Sequence, residues 1–276
     1  MSGYLGRFLE IDLSNKSFAI HKLREDWVRQ YSIMGYAVRI LYEEVRKKGK
    51  LDPLGEDNVL VIATGPLVGT HLSGSKTAFV AISPLTGYLG KSMMAGSFGT
   101  MLKKSGFDGL IVRGASKTPV YVSVVSGKAE IRPAGHIWGM KTSETFRVVR
   151  EEVGVEKAKV VAIGPAGENL CRYACVVSDE LRIAGRTGMG AVMGSKRVKA
   201  IAVYGDSAIP VSDRKTLAEL IRKHGEVCLK SSRAKALKSY GTSGGLVTYV
   251  LDGNVPIKNW TRGVFENQDP SRIKIT

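Results

Sequence analysis

Alternation of apolar and polar positions opens the chain. Gly6 to Leu13 reads as a half-buried strand, Ser14 and Asn15 as a turn, and Ser17 to Lys22 as its hairpin partner. The period then lengthens. Val28, Ile33, Ala37, Ile40, Leu41 and Val45 fall mostly at helical spacing between Asp26 and Lys48, and Lys47, Lys48 and Gly49 end the run as a helix C-terminus does, with Gly35 as the place where it would break. Asn58 to Ala63 is a continuous apolar run of strand length entering the Thr64-Gly65-Pro66 corner. Further strands are predicted over Phe79–Ile82, Leu110–Arg113, Pro119–Val125, Ala129–Ile131, Lys159–Ile163 and Ala200–Tyr204. Between them the pattern gives a Ser83–Gly87 turn, a short helix over Met93–Lys104 and a tight Gly164–Asn169 loop. A helix capped at Thr142 carries Phe146, Val149 and Val153 on one face and stops at Gly154.

The pattern changes across Ile209–Asp213. Beyond it, Lys215 to Leu237 reads as a basic amphipathic helix with Leu217, Leu220, Ile221 and Val227 inward. This predicts an α+β protein: a strand-rich domain over residues 1–210, then a short, mainly helical segment over 211–276 that does not read as a finished domain.

Composition narrows the function. Thirty-two glycines among 276 residues mean many tight turns, and 41 Lys and Arg against 25 Asp and Glu give a formal charge of +16, which favours acidic or phosphorylated partners. The basic residues fall in short pairs such as Lys47-Lys48 and Lys103-Lys104, without a basic tail or the aromatic segments of an RNA-binding sheet, so nucleic acid is set aside. Three cysteines make no even disulfide framework and point to a reducing compartment; Cys171 and Cys175 lie in an apolar run that reads as core filling. No apolar run approaches the roughly 18 residues of a membrane span. The expected location is the cytoplasm.

One stretch concentrates the chemistry. From Arg182 to Lys196, Gly185, Gly188, Gly190 and Gly194 free the backbone to approach a ligand, while Arg182, Arg186 and Lys196 bring positive charge to the same residues. That pairing suits a dense anion; the alternative is a glycine-rich turn leading into a packed helix. Gly188, Gly190 and Gly194 are spaced one residue too long for the dinucleotide fingerprint, and Ser195 and Lys196 stand in the wrong order for a P-loop.

Gly6-Arg7 with Ile11 to Ser14, Asp52 to Leu54, Ala63 to Leu67 with Gly69-Thr70, Ser83 to Gly87, Lys117 to Tyr121, Ile137 to Gly139, Ile163 to Asn169 and Ala184 to Lys196 follow one another along the chain, with Asn259 and Trp260 beyond them. In these motifs and their order the chain resembles the tungsten-containing aldehyde:ferredoxin oxidoreductases. The resemblance implies a first domain of two β-sheets with flanking helices whose saddle-shaped face holds a tungsten (or molybdenum) bis-pyranopterin, with magnesium linking the pterin phosphates. Two pterin-contacting segments are implied, one with Lys76, Ala95 and Gly96, the other with Arg182, Ile183, Gly185 and Arg186. The first departs from the family pattern, with Lys76 in place of arginine, Met93-Met94 in place of small polar residues, and Met34-Gly35-Tyr36 in place of a Gly-Arg-Gly turn. The resemblance assigns no catalytic residue or protein metal ligand here and places the ligands of a 4Fe–4S cluster in later domains.

The resulting expectation is the pterin-side portion of an enzyme that oxidises an aldehyde to a carboxylate and passes electrons to ferredoxin or a similar carrier. It needs the later domains or a second chain, and the 276 residues alone would be inactive. Apolar surface around Trp260, Val264 and Phe265 suggests a homo-oligomer. The alternatives are a non-catalytic pterin-binding or interaction module and a basic polyanion or nucleic-acid binder.

Overall fold

The computed structural model describes residues 3–263 apart from Ser73; Val264 and Phe265 lie outside the described residues, and Trp260 is exposed. The elements run β1 (Arg7–Asp12), β2 (Ser17–Lys22), α1 (Glu25–Lys48), β3 (Leu60–Thr64), β4 (Thr77–Ile82), β5 (Leu89–Met94), α2 (Phe98–Lys104), β6 (Gly109–Arg113), β7 (Val120–Val125), β8 (Lys128–Pro133), α3 (Thr142–Val153), β9 (Lys159–Ala162) and α4 (Pro165–Glu168). There follow β10 (Val176–Ser178), β11 (Ile183–Ala184), α5 (Met189–Ser195), β12 (Val198–Tyr204), α6 (Arg214–Lys230), α7 (Ser232–Tyr240) and α8 (Leu246–Leu251). Contacts divide the chain into two compact units, Met1–Asp213 and Arg214–Thr276.

The first unit is built on two six-stranded mixed sheets, ordered β2-β1-β6-β3-β4-β5 and β11-β10-β9-β12-β7-β8. In each sheet one parallel pair, β1 with β6 and β7 with β12, sits among antiparallel neighbours. The inner faces share one core, in which Leu9, Ile11, Leu60, Ile62 and Phe79 of the first sheet pack with Val122, Val161, Ile201 and Val203 of the second; Phe98 and Leu102 of α2 and Val192 and Met193 of α5 fill the space between them. The outer face of the first sheet is covered by α1 through Ile33, Ala37, Ile40 and Leu41, and that of the second by α3 through Phe146 and Val149. Apolar strands buried on both faces are thus explained layer by layer.

Several local expectations are corrected. The interruption in α1 falls at Ser32 (φ 54°), while Gly35 is helical and Tyr36 beyond it is fully buried, its hydroxyl accepting the Arg24 amide at 3.1 Å. The helix expected from Met93 starts at Phe98; Met93 and Met94 end β5, whose alternating exposure is that of a half-buried strand. Lys141, not Thr142, takes the cap position of α3, with the Glu144 carboxylate accepting the Lys141 amide, and Gly154 ends the helix in the left-handed conformation (φ 72°). Gly164–Asn169 contains the short helix α4.

In the second unit the expected Lys215–Leu237 helix is two helices, α6 and α7, parted at Ser231, whose hydroxyl caps α7. Leu220 and Val227 are exposed and Leu217 and Ile221 half-buried, so the apolar stripe of α6 stays open within that unit. No helix among the described residues is long and apolar enough to cross a membrane.

Candidate functional site

Residues about ninety positions apart meet where the two sheets join, because β11 of the second sheet lies against β5 of the first. Along β5, Gly90, Ser92 and Met94 point inward, and Leu89, Lys91 and Met93 outward. Three serines stitch the seam. The Ser83 hydroxyl donates to the Thr187 carbonyl at 2.9 Å, the Arg186 amide donates to the Ser92 hydroxyl at 3.0 Å, and the Ser97 amide and hydroxyl both donate to the Glu180 carboxylate. The outcome is an open ledge with β5 on one side and residues 181–187 on the other.

The seven sequence-predicted residues lie at or next to this ledge. Lys76 directly precedes and Ala95 directly follows the Thr77–Met94 pair of β4 and β5, and both are exposed. Gly96 (φ 99°) abuts Arg182, with 3.2 Å from a notional Cβ to the Arg182 Cγ. Ile183 is 53% exposed, and Gly185, Arg182 and Arg186 face outward with it. Leu181 (φ 55°) and Thr187 (φ 60°) bend the chain into the left-handed region at either end of the segment. Among the described residues Lys76, Lys91, Arg182 and Arg186 take part in no ion pair, although most acids on this unit are matched to a base. The ledge is therefore a field of uncompensated positive charge.

The rest of the glycine-rich stretch does different work from that expected. A Cβ on Gly188 would stand 2.0 Å from the Arg172 carbonyl oxygen, on Gly190 2.4 Å from that of Cys175, and on Gly194 1.9 Å from that of Gly167. These three glycines let α5 lie backbone-to-backbone on α4 and the α4–β10 loop. Lys196 turns away from the ledge; it is fully buried, and its ammonium donates to the carbonyls of Gly114 at 2.8 Å and Glu56 at 3.1 Å. Burial pushes this lysine down to about 8, against the opposing pull of Glu56. The anion-binding reading thus contracts to residues 182–186.

Cys171 and Cys175 are half-buried in the loop before β10, not in the core, and Cys175 Sγ lies 3.6 Å from a notional Cβ on Gly185. The histidines are dispersed: His21 bonds the Tyr36 hydroxyl, His136 pairs with Glu152, His224 stands 3.6 Å from Cys228, and His71 is exposed in a loop. Among the described residues no three His, Cys, Asp or Glu side chains converge as a metal site. Partial burial would raise the Glu180 carboxyl, but the Ser97 donors and Lys159 outweigh it and hold it at about 2. Ser92, Ser97 and Glu180 escaped the sequence reading; the acidic pair Asp179-Glu180 directly before a basic stretch was the available signal.

These residues fit an anionic, flat ligand. Exposed backbone at Gly96 and Gly185 offers amide edges, Ile183 and Met93 offer apolar surface, and the arginines offer planar forks.

The sequence profile of the aldehyde ferredoxin oxidoreductase N-terminal domain matches residues 8–205, a span that holds every ledge residue. The chain belongs to this family. It is 39% identical over 268 residues to the tungsten-containing aldehyde ferredoxin oxidoreductase of Pyrococcus furiosus and 37% identical over 270 residues to that of Thermococcus kodakarensis, covering 96% and 97% of this chain. It is also 33% identical to the WOR-like subunit of an aliphatic sulfonate oxidoreductase of Pyrococcus furiosus, over 99% of this chain. Among solved structures, the active-site complex BamBC of benzoyl coenzyme A reductase, bound to 1,5-dienoyl-CoA, superposes with a TM-score of 0.79 at 32% identity, over 83% of this chain and 35% of that one. The chain spans 44% of the length of the two tungsten-containing relatives. The two-sheet architecture and the family membership agree with the expectation from sequence.

Proposed function

We propose that the ledge is the protein side of a tungsten or molybdenum bis-pyranopterin site, and that this chain is the pterin-binding portion of an aldehyde:ferredoxin oxidoreductase. The observation that carries the reading is the meeting of Lys76, Ala95 and Gly96 with Arg182, Ile183, Gly185 and Arg186 on one exposed seam without acidic partners for its bases. Arg182 and Arg186 would grip phosphate groups, the Gly96 and Gly185 backbone would pair with pterin edges, and Ile183 would cover a ring face. When bound, such a cofactor supplies two-electron oxidation of an aldehyde to a carboxylate. This chain's own part is to bind and orient.

Electron exit through a 4Fe–4S cluster takes four thiolates as a rule, more than the three cysteines here. The cluster, the carrier and the enclosure of the ledge therefore fall to further domains or a second chain, in the reducing cytoplasm. Metal analysis of the protein purified from a tungstate-supplied host tests the reading. Tungsten or molybdenum with two pterins per metal supports it. Metal-free protein that shifts DNA with steep salt dependence would support the polyanion reading instead.

A further inference from the structure

Consecutive acids hold the turn between β10 and β11 from two sides. Asp179 accepts from Arg150 of α3 at 2.7 Å. Glu180 faces the other way, taking the Ser97 amide at 2.8 Å, the Ser97 hydroxyl, and the Lys159 ammonium at 2.9 Å. Ser97 precedes α2 and makes no cap of its own, so Glu180 occupies the amino end of that helix. Gly96 is favoured by its positive φ (99°), and the Glu180 carboxylate lies close to it, 2.6 Å from a notional Cβ.

We propose that Glu180 is the positioning residue of the ledge: its carboxylate, bonded across the seam to Ser97, sets the separation between the Gly96 backbone and Arg182–Arg186. The inference rests on the reading of the ledge as a ligand site. The carboxyl stays ionised at any working pH, so the device is a fixed spacer and not a switch.

Charge and position make opposite forecasts here. Glu180→Gln removes a negative charge from a basic surface, which by electrostatics alone tightens anion binding; loss of spacing weakens it. The experiment is calorimetric titration of the 276-residue chain and its variants with inorganic pyrophosphate, together with hydrogen exchange at the amides of residues 180–186. Glu180→Gln is expected to weaken binding roughly tenfold and to speed exchange there. Ser97→Ala, which removes the hydroxyl bond to the same carboxylate at unchanged charge, should do likewise, and the double variant should lose no more than either. Ser97→Ala also carries the test if Glu180→Gln fails to fold. Tighter or unchanged binding in both variants, with Arg186→Ala still weakened, overturns the role of Glu180 and leaves the ledge intact as a site. No binding by the parent chain, or none of it lost in Arg186→Ala, overturns the ledge reading and this inference with it.

Discussion

Glycine to alanine at two helical positions, Gly194 in α5 and Gly225 in α6, should change stability in opposite directions. In a free helix interior the substitution gains about 1 kcal/mol, because glycine loses more backbone entropy on folding. Nothing lies within 4 Å of a Cβ on Gly225, so the full gain is expected there. At Gly194 the new carbon would stand 1.9 Å from the Gly167 oxygen and 2.7 Å from its carbonyl carbon. Both obstacles are backbone, so α5 and α4 must part by about 1 Å, in a core where overpacking typically costs about 1–3 kcal/mol and sometimes more. A backbone clash this close belongs at the upper end of that range, about 3 kcal/mol, which less the helix gain leaves a net loss at Gly194 of about 2 kcal/mol. For a unit of this size that lowers the melting midpoint by roughly 4–8 °C, whereas Gly225→Ala raises the midpoint of the second unit. Scanning calorimetry of the two variants reads both. A Gly194→Ala protein as stable as its parent would show that the glycine serves something other than close packing.

Arg186→Ala should weaken pyrophosphate binding about tenfold and more than Lys76→Ala, since a charge-assisted hydrogen bond from a backbone-anchored fork exceeds one from a flexible ammonium; equal losses in titration count against that ranking. Lys196 is held at about 8 when folded against an ordinary 10.5, so between those values the unfolded chain binds the extra proton and stability rises with pH, by up to about 3 kcal/mol for this group. Urea melts at pH 7.5 and 9.5 should show the parent gaining on Lys196→Met; identical shifts in the two proteins would refute the assignment. The buried Lys199–Glu168 pair also accepts and donates to backbone at Gly139 and Met140. Lys199→Met should therefore cost about 3–5 kcal/mol by leaving Glu168 unpaired. Arg222→Ala, breaking an exposed pair on α6, should cost less than about 1 kcal/mol in the same melts.

Strand identity was legible wherever burial imposed a pattern. Leu60–Ala63 and Phe79–Ile82 lie in strands because both faces of their sheet are covered, so an unbroken apolar run is the required signal, although the first strand starts two residues later than the run that opens at Asn58. Met93 misled for the same reason inverted: in β5 it faces the open ledge, and an apolar residue at an exposed position obscures the strand's alternation. The charge of Arg182 and Arg186 could be read from sequence because their side chains stay in water. That of Lys196 could not, since its inward turn depends on carbonyls 82 and 140 residues away. The glycines of α5 were seen but their purpose was not, as close backbone approach and anion cradling make the same demand on a sequence.

The seam has a consequence for the order of folding. Its ties join Ser83 to Thr187, Ser92 to Arg186 and Ser97 to Glu180, sequence separations of 104, 94 and 83 residues. Contacts of such length form late, after local hairpins and helices have closed their shorter loops. On a ribosome the β4–β5 hairpin is made long before its partner segment emerges, and until then Lys76, Ala95 and Gly96 have nothing opposite them. A ligand that needs both sides of the ledge must therefore enter a chain whose two sheets have already docked, so loading of such a ligand follows folding of this unit and cannot nucleate it.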